Sequence, residues 1–246
     1  MAALNDFRKP RFYRPLLYGT FLMVFQPMCG INALMYSARK ISFVGGFSKI
    51  LLVLYLIMVL FTVLTYFIVD KYGRRKLLIL GAVGMFICNL VLGVYFQISK
   101  IPNSNKTLES HFNNSKMQML EISYVKIHSS YLWLVVACLI LFIVSYSIGW
   151  GPLPILLISE IFPPRMRSYF CFTVLCINWS VTILVVSLFD KLVNIVDVQG
   201  ALWIYSACCF ISIFFVYYFV PETKDKTLED IEHYYQMNSE FRNYLN

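Results

Sequence analysis

The chain has 246 residues, of which 59% are hydrophobic and only 14% charged, too little charge to coat a soluble domain of this length. Its formal charge of +8 is divided among short connections with no basic face to lie along a phosphate backbone, which excludes a nucleic-acid partner. The apolar residues come in blocks about twenty long, the length of helix that crosses roughly 30 Å of hydrocarbon, where every backbone amide must be paired within its own segment.

Six transmembrane helices are predicted, at 15–38, 47–69, 77–98, 131–158, 169–190 and 200–220, making an all-α membrane protein. The stretch before them, MAALNDFRKPRFYR, is polar and basic, and the first apolar run is too long for a signal peptide. The first span carries two amides six residues apart, Gln26 and Asn32, beside the helix-loosening Pro27 and Gly30. A short polar hinge, SFVGG, leads to the second span. That span ends in the turn DKYGRRK, in which Gly73 permits a sharp reversal. The arginines of this turn, Arg74 and Arg75, offer planar multi-donor groups to carboxylates such as Asp70 and to helix-terminal carbonyls.

The long polar loop after the third span, 99–130, carries two glycosylation sequons, at Asn105 and Asn113. The fourth span is interrupted by GWGPLP: Gly149 and Gly151 weaken the helix, and Pro152 and Pro154 remove amide donors. Such a break is tolerable in a membrane only where it faces protein or a water-filled path. SEIFPPRMR follows, with Glu160, Arg165 and Arg167 at the membrane edge. The fifth span carries Asn178 and Trp179 midway. The sixth ends in PETKDKTLEDIE, where Pro221, Glu222 and Thr223 terminate the helix and Thr227 with Glu229 and Asp230 starts a short surface helix.

Lys and Arg number thirteen in 1–15, 70–76, 163–168 and 221–246, against eight in 39–49, 99–130 and 189–200, over nearly equal lengths. The first set is therefore expected on the cytoplasmic side, with both termini inside and the sequons outside. All seven cysteines lie in apolar segments without metal-ligand spacing, and His111, His128 and His233 lie in loops or the tail with no acid or nucleophile at motif spacing. No metal, cofactor or enzymatic activity is expected. The spans hold almost no acid, which suits a neutral substrate recognised by amides, hydroxyls and an aromatic plate.

Taken in order and at their spacing, these motifs resemble the sugar porter family of the major facilitator superfamily, which includes the facilitative glucose transporters. The resemblance runs over about residues 8–233 and corresponds to the second half of that family, helices seven to twelve. It implies one six-helix half of a twelve-helix fold, working by alternating access about a central site, with the N-terminal six-helix half as its missing partner. On that pattern residues 1–14 end the cytoplasmic loop between the halves, 15–220 form the half-bundle, and 221–246 are a cytoplasmic tail.

The resemblance implies Gln26 and Asn32 as sugar-binding positions, Tyr36 as an aromatic gating position, and Asn178 with Trp179 as the helix-eleven pair. It likewise implies Asp70, Gly73, Arg74 and Arg75 as the acidic-x-x-Gly-Arg-Arg turn. Glu160 and Arg167 are the acid and base of an inner gate that pairs across the two halves. GWGPLP is the mobile part of helix ten, and Pro221–Glu222–Thr223 begins a cytoplasmic bracket.

Three positions depart from the family pattern. Pro27 stands where a second glutamine is usual, Ile155 where a tryptophan follows Pro-x-Pro, and Met58 near an expected asparagine. The expected function is transport of a hexose-like sugar across the plasma membrane. The alternatives are a different neutral polyol-like solute, or a non-transporting sensor or regulator built on the same half.

Overall fold

A computed structural model describes residues 10–36, 48–100, 132–162, 166–224 and 226. Its helices are α1 (Pro10–Met28), α2 (Ser48–Tyr72), α3 (Arg74–Lys100), α4 (Leu132–Ile148), α5 (Leu153–Ile161) and α6 (Arg167–Phe219). Helix resumes after α1 at residues 31–36. The sequons at Asn105 and Asn113, Arg165, and the surface helix expected from Thr227 lie outside the described residues.

Five helical runs are long and apolar enough to cross a bilayer, the last being Arg167–Phe219 with 53 residues. A straight helix of that length would reach about 80 Å, far more than one crossing. It turns at Asp197, where φ is 60° and ψ 176°. Phe189 before the turn and Tyr205 after it stack with ring centroids 6.5 Å apart, so the two arms run side by side. The described residues therefore make six passes, and the chain is an integral multi-pass membrane protein.

Two boundaries differ from the sequence expectation. The DKYGRRK turn shrinks to Gly73 alone, because α2 runs through Tyr72 and α3 starts at Arg74. Gly73 sits at φ +87°, a conformation that costs a residue with a Cβ about 1–2 kcal/mol. The loop expected between the fifth and sixth spans is likewise replaced by continuous helix on both sides of Asp197.

α3 is the centre of the bundle, packing chiefly on α6 and α4, while α1 packs on α6 and α5, and α2 on α4. Lipid tails are as apolar as leucine, so close van der Waals approach and interhelical hydrogen bonds hold such a bundle together. Small residues make that approach possible. A Cβ added at Gly149 would lie 2.8 Å from the Leu77 carbonyl and 3.1 Å from the Gly81 Cα. Around this crossing lie the fully buried Trp150, Phe142, Phe162, Leu78 and Met85. α2 and the first arm of α6 leave their apolar side chains largely uncovered, Leu56, Val59, Phe67, Phe172 and Ile183 among them, as suits surfaces that face lipid or another helical bundle.

Candidate functional site

A proline in span one and the break in span four organise a cluster of side-chain amides. A helical carbonyl ordinarily accepts from the amide four residues on, and proline has no amide proton to give. Pro27 therefore orphans the carbonyl of Met23, and the carbonyl of Trp150 is left free by the break between α4 and α5, which lies outside either helical ladder. Each orphan is satisfied by a side-chain amide from another span. Asn178 Nδ2 donates to the Met23 carbonyl at 2.8 Å, and Gln26 Nε2 donates to the Trp150 carbonyl at 2.8 Å. The two amides are also joined to each other, Asn178 Nδ2 donating to Gln26 Oε1 at 2.9 Å. Gln26 Nε2 further reaches the Gly151 carbonyl at 3.1 Å and the Tyr146 hydroxyl at 3.4 Å.

Spans one, four and five are thus tied at one point. Both amides are half-buried, so the cluster lies at a surface of the bundle. The helix of span four stops at Ile148 and restarts at Leu153 with Pro152 as its N-cap residue and Pro154 buried in the first turn. The Gly149 amide donates to the Ser145 carbonyl at 3.2 Å and that of Gly151 to the Tyr146 carbonyl at 2.8 Å. The Trp150 indole donates to the Leu78 carbonyl at 3.1 Å, which pins the break onto α3.

Trp179 follows Asn178 by about 100° around the helix, so it points away from this cluster and is 64% exposed. Ile155, in the place of the family tryptophan, is also exposed. Met58 is half-buried on α2, and Asn32 is half-buried beyond the break in span one. Tyr36 is not brought to the amide cluster. Its hydroxyl donates to Asp190 Oδ2 at 3.2 Å, and its ring meets Phe189 edge-on. Of the five residues expected to face a substrate, the structure gathers Gln26 and Asn178 into one network.

The second assembly lies where α2, α3, α5 and the end of α6 meet. The Arg74 guanidinium pairs with Glu160 at 3.2 Å and with the exposed Asp70 at 3.1 Å. The other oxygen of Glu160 accepts from the Thr223 hydroxyl at 2.6 Å. The backbone amide of Arg74, at the first turn of α3, donates to Glu222 Oε1 at 2.9 Å, a favourable place for an acid. The carboxylate of Glu222 sits against Gly73, where an added Cβ would lie 2.8 Å from its Oε2. Arg75 donates to the Tyr217 carbonyl and lies over the Tyr217 ring at 5.1 Å. Pro221 and Thr223 are buried.

The DKYGRR and PET motifs are therefore one structure, with Glu160 between them. Arg167 takes no part in it. Its Nε donates to the Phe162 carbonyl at 3.4 Å, and one buried terminal nitrogen has no partner among the described residues.

Three residues that sequence reasoning passed over belong to these sites. Trp150 and Tyr146 hold and face the span-four break. Asn89, fully buried on α3, donates to the Cys29 carbonyl at 3.3 Å. That carbonyl is where span one breaks, at Gly30 with φ +91°. The Tyr205 ring covers the other side, 2.8 Å from where a Gly30 Cβ would stand. A lone asparagine in an otherwise apolar run was the available signal.

Residues 3–235 match the family described as sugar (and other) transporter. The chain is 35% identical over 232 residues to solute carrier family 2, facilitated glucose transporter member 8, of Bos taurus, covering 93% of this chain and 48% of that protein. It is 29% identical to the facilitated trehalose transporter Tret1 of Bombyx mori, covering 94% of this chain and 42% of the relative. Among solved structures, the inward-open xylose transporter XylE from E. coli superposes with a TM-score of 0.67 at 26% identity, over 90% of this chain and 42% of that one. XylE bound to 6-bromo-6-deoxy-D-glucose gives 0.68 at 28% identity, over 89% of this chain and 42% of that one. The chain spans about half the length of the curated relatives it matches.

Proposed function

The chain belongs to the sugar (and other) transporter family, and from that premise we propose that it is the second six-helix half of a carrier that moves a neutral sugar or polyol across a membrane by alternating access. The observation that carries the reading is the convergence of Gln26 and Asn178 on the break in span four. Uncharged amides from two spans meet where a third has lost its backbone continuity. In a transporter the binding site lies beside such broken helices. Glucose, trehalose and xylose are named for its relatives, and all three are neutral and rich in hydroxyls.

In this reading Gln26, Asn32 and Asn178 face the substrate and Trp179 supplies the aromatic plate. Trp179 is exposed in the half-bundle because the surface it faces belongs to the first half or to the central cavity. Tyr36, held to Asp190, closes the outer end of span one onto span five. Asp70, Gly73, Arg74, Arg75, Glu160, Pro221, Glu222 and Thr223 form the inner bracket. Arg167, one of whose nitrogens has no partner among the described residues, is the group assigned to meet the first half. The inner bracket and both termini are cytoplasmic, the loop with Asn105 and Asn113 is external, and the plasma membrane is the site of action.

The test is uptake of labelled sugars by vesicles carrying this half together with a complete first half. Saturable uptake of a neutral sugar, lost in Gln26→Ala at unchanged surface level, supports the reading. Loss of surface level instead would make Gln26 a packing residue alone.

A further inference from the structure

The two amides at the centre differ from an ordinary pair of polar side chains in how their protons are used. An asparagine or glutamine side chain has two N–H donors and one carbonyl oxygen with two lone pairs. Asn178 spends both protons inside the bundle, one on the Met23 carbonyl at 2.8 Å and one on Gln26 Oε1 at 2.9 Å. Gln26 spends both as well, on the carbonyls of Trp150 at 2.8 Å and Gly151 at 3.1 Å, with the Tyr146 hydroxyl at 3.4 Å as a third neighbour.

The amide orientation follows from these partners, because backbone carbonyls only accept and so require the nitrogen of each side chain. Met23 needs its donor because Pro27 cannot supply one, and Trp150 needs its donor because its carbonyl lies in the break of span four, outside either helical ladder. What remains for a ligand is oxygen: the carbonyl of Asn178 and the second lone pair of Gln26 Oε1.

Resting on the transport reading, we infer that this pair is an acceptor-only recognition element that selects substrates by a hydroxyl proton donated to it. Pro27 is a specificity-determining residue that makes it so together with the break at 149–152, although its side chain cannot hydrogen-bond to a ligand. The substrate class is a neutral molecule with at least one free hydroxyl aimed at the pair. An ether, a keto group or a fluorine at that position finds two oxygens and no donor. A buried acceptor left without its donor loses the full value of the bond.

The inference separates analogues that an ordinary amide site treats alike. A C–F group keeps some acceptor character and loses the donor, whereas a C–H group loses both. The test is competition against uptake of the parent sugar by the completed protein, using a deoxy and a fluorodeoxy analogue at each hydroxyl in turn. At the hydroxyl facing the pair, both analogues should bind roughly tenfold or more weakly than the parent and nearly equally to each other. In Pro27→Ala, the restored backbone amide satisfies the Met23 carbonyl and releases one Asn178 proton. The fluoro analogue should then recover relative to the deoxy analogue.

A fluoro analogue that binds clearly better than the deoxy one in the unaltered protein at every position would overturn the inference. A second measurement needs no sugar: exchange of the side-chain amide protons of Gln26 and Asn178 in nitrogen-15-labelled protein. Slow exchange at all four, faster at Asn178 in Pro27→Ala, supports the donor assignment. Solvent-rate exchange in the unaltered protein would overturn it. Slow exchange with no uptake of any parent sugar would instead sink the transport reading and its substrate class, while the proton assignment stood.

Discussion

At the scale of single residues, the chain uses polar side chains to repair what glycine and proline break. Asn89 shows this for span one. Its amide holds the Cys29 carbonyl at 3.3 Å, and its own oxygen is buried without a partner among the described residues. Replacing it with leucine, of similar size, takes the amide donor from the buried Cys29 carbonyl and leaves it the weak Cys209 thiol donor at 3.9 Å, at a cost of about 1 kcal/mol. We expect faster backbone hydrogen exchange over residues 29–36 in Asn89→Leu, with α3 itself little changed. Equal loosening along α3 would mean that the residue only packs.

Trp179 is the opposite case. At 64% exposure its side chain supports little of this half, so Trp179→Ala should lower uptake with surface level intact. A fall in surface level would contradict that.

The residue scale is also where the sequence was least legible. Gln26 and Asn178 stood out as amides in apolar runs, but their partners did not, because they are backbone carbonyls three and four spans away. Pro27 looked like the loss of a glutamine. The structure shows its second consequence, an orphaned carbonyl that draws in Asn178. Asn89 gave only the weak signal of a lone amide in an apolar run, and Trp150 lay inside GWGPLP with nothing to mark the partner of its indole.

At the scale of elements, the turn between α2 and α3 and the end of α6 are one device. Gly73 makes the reversal at φ +87°, and Glu222 fills the space its missing Cβ leaves. Gly73→Ala combines backbone strain with a clash against Glu222, so the melting temperature in detergent should fall. The two costs share one neighbour, and Gly73→Ala/Glu222→Ala should recover part of the loss. Additive losses would show that only the backbone matters.

Glu160 joins Arg74 to Thr223. Glu160→Gln keeps the shape and an acceptor but removes the charge facing a guanidinium that is only 15% exposed. Its effect should fall on the balance of inward and outward states rather than on substrate affinity. Unchanged reactivity of cysteine probes placed on either side would contradict this.

These motifs were readable because turn chemistry is local: DKYGRR and PET each carry their glycine or proline at a fixed offset. Their contact with each other was not readable. It depends on the hairpin at Asp197 bringing residue 222 back to residue 74.

At the scale of the whole molecule, six passes and their order were legible from block length alone, since a membrane enforces one segment length and one backbone solution. The continuous helix around Asp197 was not, because polar residues at 190–200 read equally as a loop or as the end of a hairpin of helices. The half-bundle leaves α2 and the first arm of α6 uncovered along with Trp179 and Ile155, and a second half-bundle of the same family would cover part of that surface. A partly buried network at the inner edge, Arg74 with Glu160 and Asp70, can bias such a two-state assembly.

The most direct measurement is uptake of a panel of labelled neutral sugars by vesicles carrying this half with a complete first half, compared with Gln26→Ala in the same vesicles. The account predicts saturable uptake of at least one sugar and roughly tenfold weaker apparent affinity or rate in the variant, at equal insertion. Correct insertion of both halves with no uptake of any neutral sugar would contradict it.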